Sequence, residues 1–275
     1  MRSQTSAWAV RATQHVARQA SGGPLDRGLR VTLNFHPDRL LDGATVLERL
    51  ARDGSYRSQF ETGTSNGGLT AHPGGARWRW EEGMFGHAYD DAPLAERPKY
   101  GALNHRRRRI GGAPRFGSAH LRLSEAVLDR TTFCFPDSVF EPSAMATAEH
   151  FDLFHLVEAF EARPLTDEIE ATEGGVLDDY VEAHVHGGLS VVADVEALVL
   201  DPSFRGSSVE EQARGLGVPV EWHEGRRLHV DTLAEHPGFR GPHVVEVGRR
   251  IAVDEVLDAA IIGRAAYVGA EHPQD

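Results

Sequence analysis

The residues best suited to chemistry cluster in Asp178-Asp179-Tyr180-Val181-Glu182-Ala183-His184-Val185-His186-Gly187-Gly188. In an extended strand, residues two apart share a face. One face therefore carries an aromatic ring, a carboxylate and two imidazoles, from Tyr180, Glu182, His184 and His186. The other carries Val181, Ala183 and Val185, which suit a core. Such a strand can floor a binding cleft, or it can turn its polar face to solvent. Fixed on a rigid strand, the carboxylate could stabilise a developing positive charge. The imidazoles could exchange protons near neutral pH or ligate a metal. The chain has 15 histidines, but only His184 and His186 form a close strand-spaced pair, and no His-Glu-x-x-His helix signature occurs.

The rest of the 275 residues must position that face. With 40% hydrophobic and 25% charged residues, the composition is that of an ordinary globular chain. The net charge of −12 disfavours general nucleic-acid binding, which depends on Lys and Arg neutralising phosphates. Arg106-Arg107-Arg108-Arg109 is the local exception; it reads as a solvated loop tip or a phosphate contact. The single cysteine, Cys134, excludes an intrachain disulfide and any multi-cysteine metal site. It lies in the apolar run 131–135 and reads as a buried thiol. No apolar run approaches a membrane span and no hydrophobic signal core opens the chain, so a cytoplasmic protein is expected, although toxin-type export would leave no such mark.

Periodicity predicts an N-terminal helix over 3–20, a core over 29–230 and a C-terminal amphipathic helix over 249–267, within a single domain spanning 1–275. Strands are expected at 29–35, 56–62, 118–123, 131–135 and 180–186. One or two more are expected in 189–200, and short ones at 219–223 and 227–230. Helices are expected at 45–53, 144–161 and 208–216. The Gly63–Gly68 loop is rich in glycine and small hydroxyls but fits neither the dinucleotide fingerprint nor a P-loop. Trp78 and Trp80 cannot share one face of a regular helix, so one of them is free to line a cleft. The fold class is α+β: mixed or antiparallel short-stranded sheets forming a cleft, with flanking helices.

Five segments carry a resemblance: Phe60-Glu61-Thr62-Gly63-Thr64-Ser65-Asn66-Gly67, Arg97-Pro98-Lys99-Tyr100-Gly101-Ala102-Leu103-Asn104, Arg115-Phe116-Gly117-Ser118, Thr132-Phe133-Cys134-Phe135-Pro136-Asp137-Ser138 and Tyr180 to Gly187. On these the chain, roughly from Leu29 to Val230, resembles a bacterial family catalogued as domain of unknown function 3626. The order of elements is also similar to the ADP-ribosyltransferase superfamily. That second resemblance implies NAD as substrate and an acceptor that is a protein or a nucleic acid. It implies Arg30 or His36 on an early strand, Ser65, Tyr100 or Ser118 in the middle, and Glu182 on a late strand. The chain departs from the superfamily pattern at His184, where Gln or Glu is expected. The implied catalytic set is Glu182, His184 and Tyr100. The implied cofactor-binding set is Arg30, His36, Ser65, Asn66, Arg115 and Ser118, with no metal. Two other classes fit the residues: a metal-dependent hydrolase or nuclease using His184 and His186 with Asp194 or Asp137, and a non-enzymatic binding or immunity-type protein.

Overall fold

The computed structural model describes residues 6–63, 71–163, 179–236 and 243–264. Its centre is an eight-stranded sheet. In chain order the strands are β1 (Val31–Phe35), β2 (Lys99–Leu103), β3 (Ala119–Leu123), β4 (Thr131–Cys134), β5 (Met145–Thr147), β6 (Val181–Val185), β7 (Val195–Leu200) and β8 (Val220–Trp222). Across the sheet the order is β8-β7-β3-β1-β2-β6-β4-β5. All neighbours are antiparallel except the parallel pair β7–β8. The fold is therefore α+β with a mixed, mainly antiparallel sheet.

Register explains why this sheet can hold a polar site. On one face Val181, Ala183 and Val185 join Leu33, Leu103, Leu121 and Phe133 in the main hydrophobic core. On the other face side chains stand in cross-strand rows. Glu182 lies between Ala102 and Cys134, and His184 lies between Tyr100 and Thr132. Directly opposed residues are the units of sheet packing, so these neighbours are fixed by pairing. Gly101 is needed between them: a Cβ there would come within 2.4 Å of Leu33 Cδ2 and 2.7 Å of the Thr32 carbonyl.

Helix α1 (Ala7–Ala17) and two later helices, α2 (Val46–Asp53) and α3 (Gln59–Thr62), precede α4 (Ala76–Phe85). Ala12 and Val16 of α1 and Phe85 of α4 form a second apolar cluster with Ala88 and Tyr89. Phe85 sets its ring edge-on to both His184 and His186, with centroids 5.3 and 5.0 Å away. The polar face of β6 is thus roofed rather than open, and every residue of the strand is buried.

Several expectations are corrected. Residues 56–62 were expected as a strand; only Ser55–Tyr56 is extended, and Gln59–Thr62 is a helical turn. Its cause is a capping box, in which Ser58 Oγ accepts from Glu61 N while Glu61 accepts from Ser58 N. Residues 144–161, expected as one helix, divide into β5 and α5 (Phe154–Glu161), because Met145, Ala146 and Thr147 extend the sheet beside β4. The C-terminal helix expected over 249–267 is broken: a helix at His243–Ile251 is followed by a strand, Val256–Asp258, paired with Arg227–His229, and by helix again over 259–264, while 265–267 lie outside the described residues. The N-terminal helix runs Ala7–Ala17, capped by Ser6, and stops short of residue 20; residues 3–5 of the expected span lie outside the described residues. The arginine run is an exposed loop, as expected of a solvated tip: Arg107, Arg108 and Arg109 are exposed and Arg106 half-buried, with Arg106 paired to Glu161 and Asp179, Arg107 to Asp26, and Arg109 donating to the Trp222 carbonyl. No helix among the described residues is long and apolar enough to cross a membrane.

Candidate functional site

Glu182 and His184 are adjacent on one face of β6, and His184 Nε2 donates to Glu182 Oε1 at 2.8 Å. From there a chain of hydrogen bonds runs inward. His184 Nδ1 is 3.2 Å from Thr132 Oγ1, which is 2.9 Å from His186 Nε2. His186 Nδ1 then meets the Tyr89 hydroxyl at 2.6 Å. Burial, with charge from His184 and Arg130, pushes the His186 pKa well below its ordinary value. His186 is therefore neutral near pH 7, with one ring nitrogen donating and the other accepting. The two imidazoles are bridged by a hydroxyl rather than aimed at a common point. Asp194, expected beside them as a candidate ligand, instead bonds Arg130 at 2.9 Å.

Glu182 reaches a cleft of about 210 Å³. Its aromatic walls include Tyr56, Trp80, Tyr100, Phe116 and Tyr180, with Asn34, Gln59, Arg77, Arg115 and Asp137 among the polar groups. Burial works against the Glu182 charge, but the His184 hydrogen bond and the Arg77 charge outweigh it, and the carboxyl is held below its ordinary pKa. Asp137 goes the other way. Burial first, and then the nearby Glu182 charge, raise its pKa, although its carboxylate accepts from the Tyr180 hydroxyl and Val139 N. One cleft thus holds two carboxyl groups whose environments drive their acidities apart, a recurrent arrangement of acid–base sites.

Arg77 supplies the complementary charge. Its guanidinium stands 4.4 Å from the Tyr100 ring centroid and 5.4 Å from that of Trp80. It is buried, yet Nε and Nη1 have no hydrogen-bond partner among the described residues. A buried cation with unused donors is costly unless something anionic completes it. Tyr100 is anchored from behind: its hydroxyl donates to Glu81 Oε1 at 3.0 Å, and Glu81 Oε2 accepts from Arg97 Nη1 at 2.6 Å.

The structure brings Glu182, His184, Tyr100 and Arg115 into or beside this cleft. His36 lines an adjoining hollow of about 130 Å³ that shares Tyr56, Gln59 and Tyr100 with it. Ser118 does not border the Glu182 cleft; it lines a larger hollow of about 1030 Å³, which His36 also touches and to which Glu182 does not contribute. Arg30 is also elsewhere. It lies just before β1 and pairs with Glu196 of β7 at 2.8 Å, away from the cleft. Ser65 and Asn66 lie outside the described residues. Sequence reasoning overlooked Arg77, Thr132, Tyr89 and Glu81, and it passed Cys134 over as a core thiol. Cys134 Sγ is 4.0 Å from Glu182 Oε1 and 3.9 Å from His184 Nε2. The alternation of Thr132 and Cys134 was readable, but its register against β6 was not. Of the two tryptophans, Trp80 lines the cleft, whereas Trp78 packs edge-on to Phe60 with Arg97 over its ring.

No curated protein matches the chain. It does match, over residues 30–162 and again over 152–275, the family described as "Protein of unknown function (DUF3626)". Because those matches cover most of its length, the chain belongs to that family.

Proposed function

We propose that the Glu182 cleft breaks the N-glycosidic bond of NAD⁺ and passes ADP-ribose to an acceptor, as an ADP-ribosyltransferase-like enzyme does. The observation that carries this reading is the pair of carboxyl groups in one aromatic cleft, Glu182 held ionised and Asp137 held toward its protonated form. Loss of nicotinamide leaves positive charge on the ribose, in a transition state like that of glycoside cleavage. Glu182 supplies the fixed negative charge for it, in a site where burial strengthens the interaction. The Asp137 carboxylate, made a stronger base by its raised pKa, takes the proton of the incoming acceptor. Trp80 and Tyr100 line the cleft as aromatic walls for the nicotinamide ring, and the unused donors of Arg77 suit a phosphate oxygen.

Size is consistent with this division of labour. Pockets for whole ligands run to roughly 300–1,000 Å³. The Glu182 cleft alone, at about 210 Å³, suits the nicotinamide riboside end. The remainder of the dinucleotide would continue past Tyr56 and Tyr100 toward His36. His184 acts through Glu182: its Nε2 proton orients the carboxylate and favours its ionised form.

The test is incubation of the purified protein with NAD⁺, following nicotinamide release with and without candidate acceptors, for the wild type and for Asp137→Asn. Release by the wild type, with transfer impaired more than simple hydrolysis in Asp137→Asn, is expected. Absence of release under every condition would refute the reading.

A further inference from the structure

Three potential metal ligands of different chemistry converge at the floor of the cleft. Cys134 Sγ, Glu182 Oε1 and His184 Nε2 are separated by 4.0 Å (Sγ to Oε1), 3.9 Å (Sγ to Nε2) and 2.8 Å (Nε2 to Oε1). They come from two paired strands, with Cys134 directly opposite Glu182 and His184 two residues further along β6. Around a tetrahedral zinc ion with Zn–S of ~2.3 Å and Zn–N or Zn–O of ~2.0–2.2 Å, such donors stand about 3.4–3.6 Å apart. The three atoms therefore reach that geometry through adjustments on the order of half an ångström.

The surroundings are those of a ligated histidine. A metal-bound imidazole generally donates its other ring N–H to a fixed acceptor. His184 Nδ1 already faces Thr132 Oγ1, and Thr132 is itself tied to His186 and through it to Tyr89. Glu182 borders the open cleft, which gives the ion an entry and leaves its fourth position toward the cavity. The mixed sulfur, nitrogen and oxygen donors select a borderline-soft divalent ion over magnesium or calcium.

We propose that Cys134, Glu182 and His184 form a zinc site. This proposal goes beyond the glycosidic reading and does not depend on it. On binding, Cys134 loses its thiol proton to solvent and ligates as thiolate, while His184 ligates through Nε2 as the tautomer that carries its single ring proton on Nδ1, directed at Thr132. With a thiolate and a carboxylate bound, the Zn²⁺ charge is neutralised. Without the ion, burial, Glu182 and Asp137 hold the Cys134 thiol protonated. The site also has a consequence for the cleft. A carboxylate committed to a cation no longer stabilises positive charge on a ribose, so the glycosidic reading applies to the metal-free protein and bound zinc switches it off.

The experiment is titration of chelator-treated full-length protein with Zn²⁺ alone, read by competition with a chromophoric chelator and by bound-metal analysis, with Co²⁺ as a spectroscopic substitute. One ion per chain is expected, with a thiolate-to-cobalt charge-transfer band. Cys134→Ser should weaken zinc binding by roughly 100-fold or more, since losing a ligand costs at least as much as losing its supporting shell. A second trio, half-buried Glu82 with exposed His87 and Asp90, is the control: His87→Ala should leave binding unchanged. Failure to bind zinc, a cobalt spectrum lacking the thiolate band, or loss of binding in His87→Ala but not in Cys134→Ser would each overturn the site. None of these measurements uses NAD⁺, so failure here leaves the glycosidic reading standing, and the reverse also holds.

Discussion

Replacing Glu81 by glutamine changes how stability depends on pH, by an amount the structure sets. Glu81 is buried beside Arg97, with side-chain exposures of 0% and 1%. Burial raises its pKa from 4.5 to about 7, outweighing the opposing pull of Arg97, Tyr100 and Arg77. The folded protein thus keeps the Glu81 proton to about pH 7, whereas the unfolded chain releases it near 4.5. Between those values the native state binds more protons, so this group lowers stability as pH rises; it is flat below and above the window. At about 1.4 kcal/mol per unit, a shift from 4.5 to about 7 amounts to roughly 3 kcal/mol. The neutral amide of Glu81→Gln does not titrate. Urea unfolding of both proteins at intervals from acid to mildly alkaline pH should show the difference moving by that amount in favour of Glu81→Gln. The absolute offset between the two curves reflects the changed bond to Arg97 and is a separate quantity. A difference that stays constant with pH, or moves the other way, would refute the reasoning. The result bears on function because Glu81 anchors Tyr100 at the cleft wall.

Three further outcomes are expected. Arg77→Met should raise the KM for NAD⁺ about 10- to 100-fold, the equivalent of a charged hydrogen bond of ~1.5–3 kcal/mol; steady-state kinetics check it. Thr132→Val removes the hydroxyl shared by His184 and His186, so denaturant unfolding should show a loss on the order of 1–3 kcal/mol for each stranded ring nitrogen. In the same variant the acid limb of NAD⁺ cleavage should move to higher pH, because the His184 bond that keeps Glu182 ionised is loosened. Ser58→Ala removes both the cap of α3 and a 2.7 Å bond to the Leu94 carbonyl, and an unfolding titration should register about 1–2 kcal/mol.

The opening strand was legible because its alternation is local: Val181, Ala183 and Val185 do enter the core, and Glu182, His184 and His186 share the opposite side. What surrounds them was not legible. Thr132 and Cys134 meet His184 and Glu182 only through the β4–β6 register, and Tyr100 meets His184 only through β2–β6. No pattern within one strand encodes which strand lies beside it. The misread segments have local causes. At 56–62 alternation suggested a strand, but the Ser58–Glu61 capping box overrode it. At 144–161 the density of apolar residues suggested one helix, yet Met145–Thr147 is worth more as the sheet edge. Arg30 was placed at the site from element order alone; its side chain instead serves the Glu196 pair. Lys99 was not singled out, and the structure buries its ammonium against the carbonyls of Ala95, Arg97 and Gly187. That shell holds the chain on both sides of the cleft strands and has no one-dimensional signature.

The central claim is that Glu182 stabilises positive charge on a ribose. Its most direct test is the rate of nicotinamide release from NAD⁺ by metal-free wild type and by Glu182→Gln, with folding of the variant confirmed by unfolding. Loss of a fixed group that acts only on the transition state costs roughly 3–4 kcal/mol, or about 10²–10³ in rate. A folded Glu182→Gln protein whose release rate falls by that factor is the predicted result. Release that is undiminished in the variant would contradict the account.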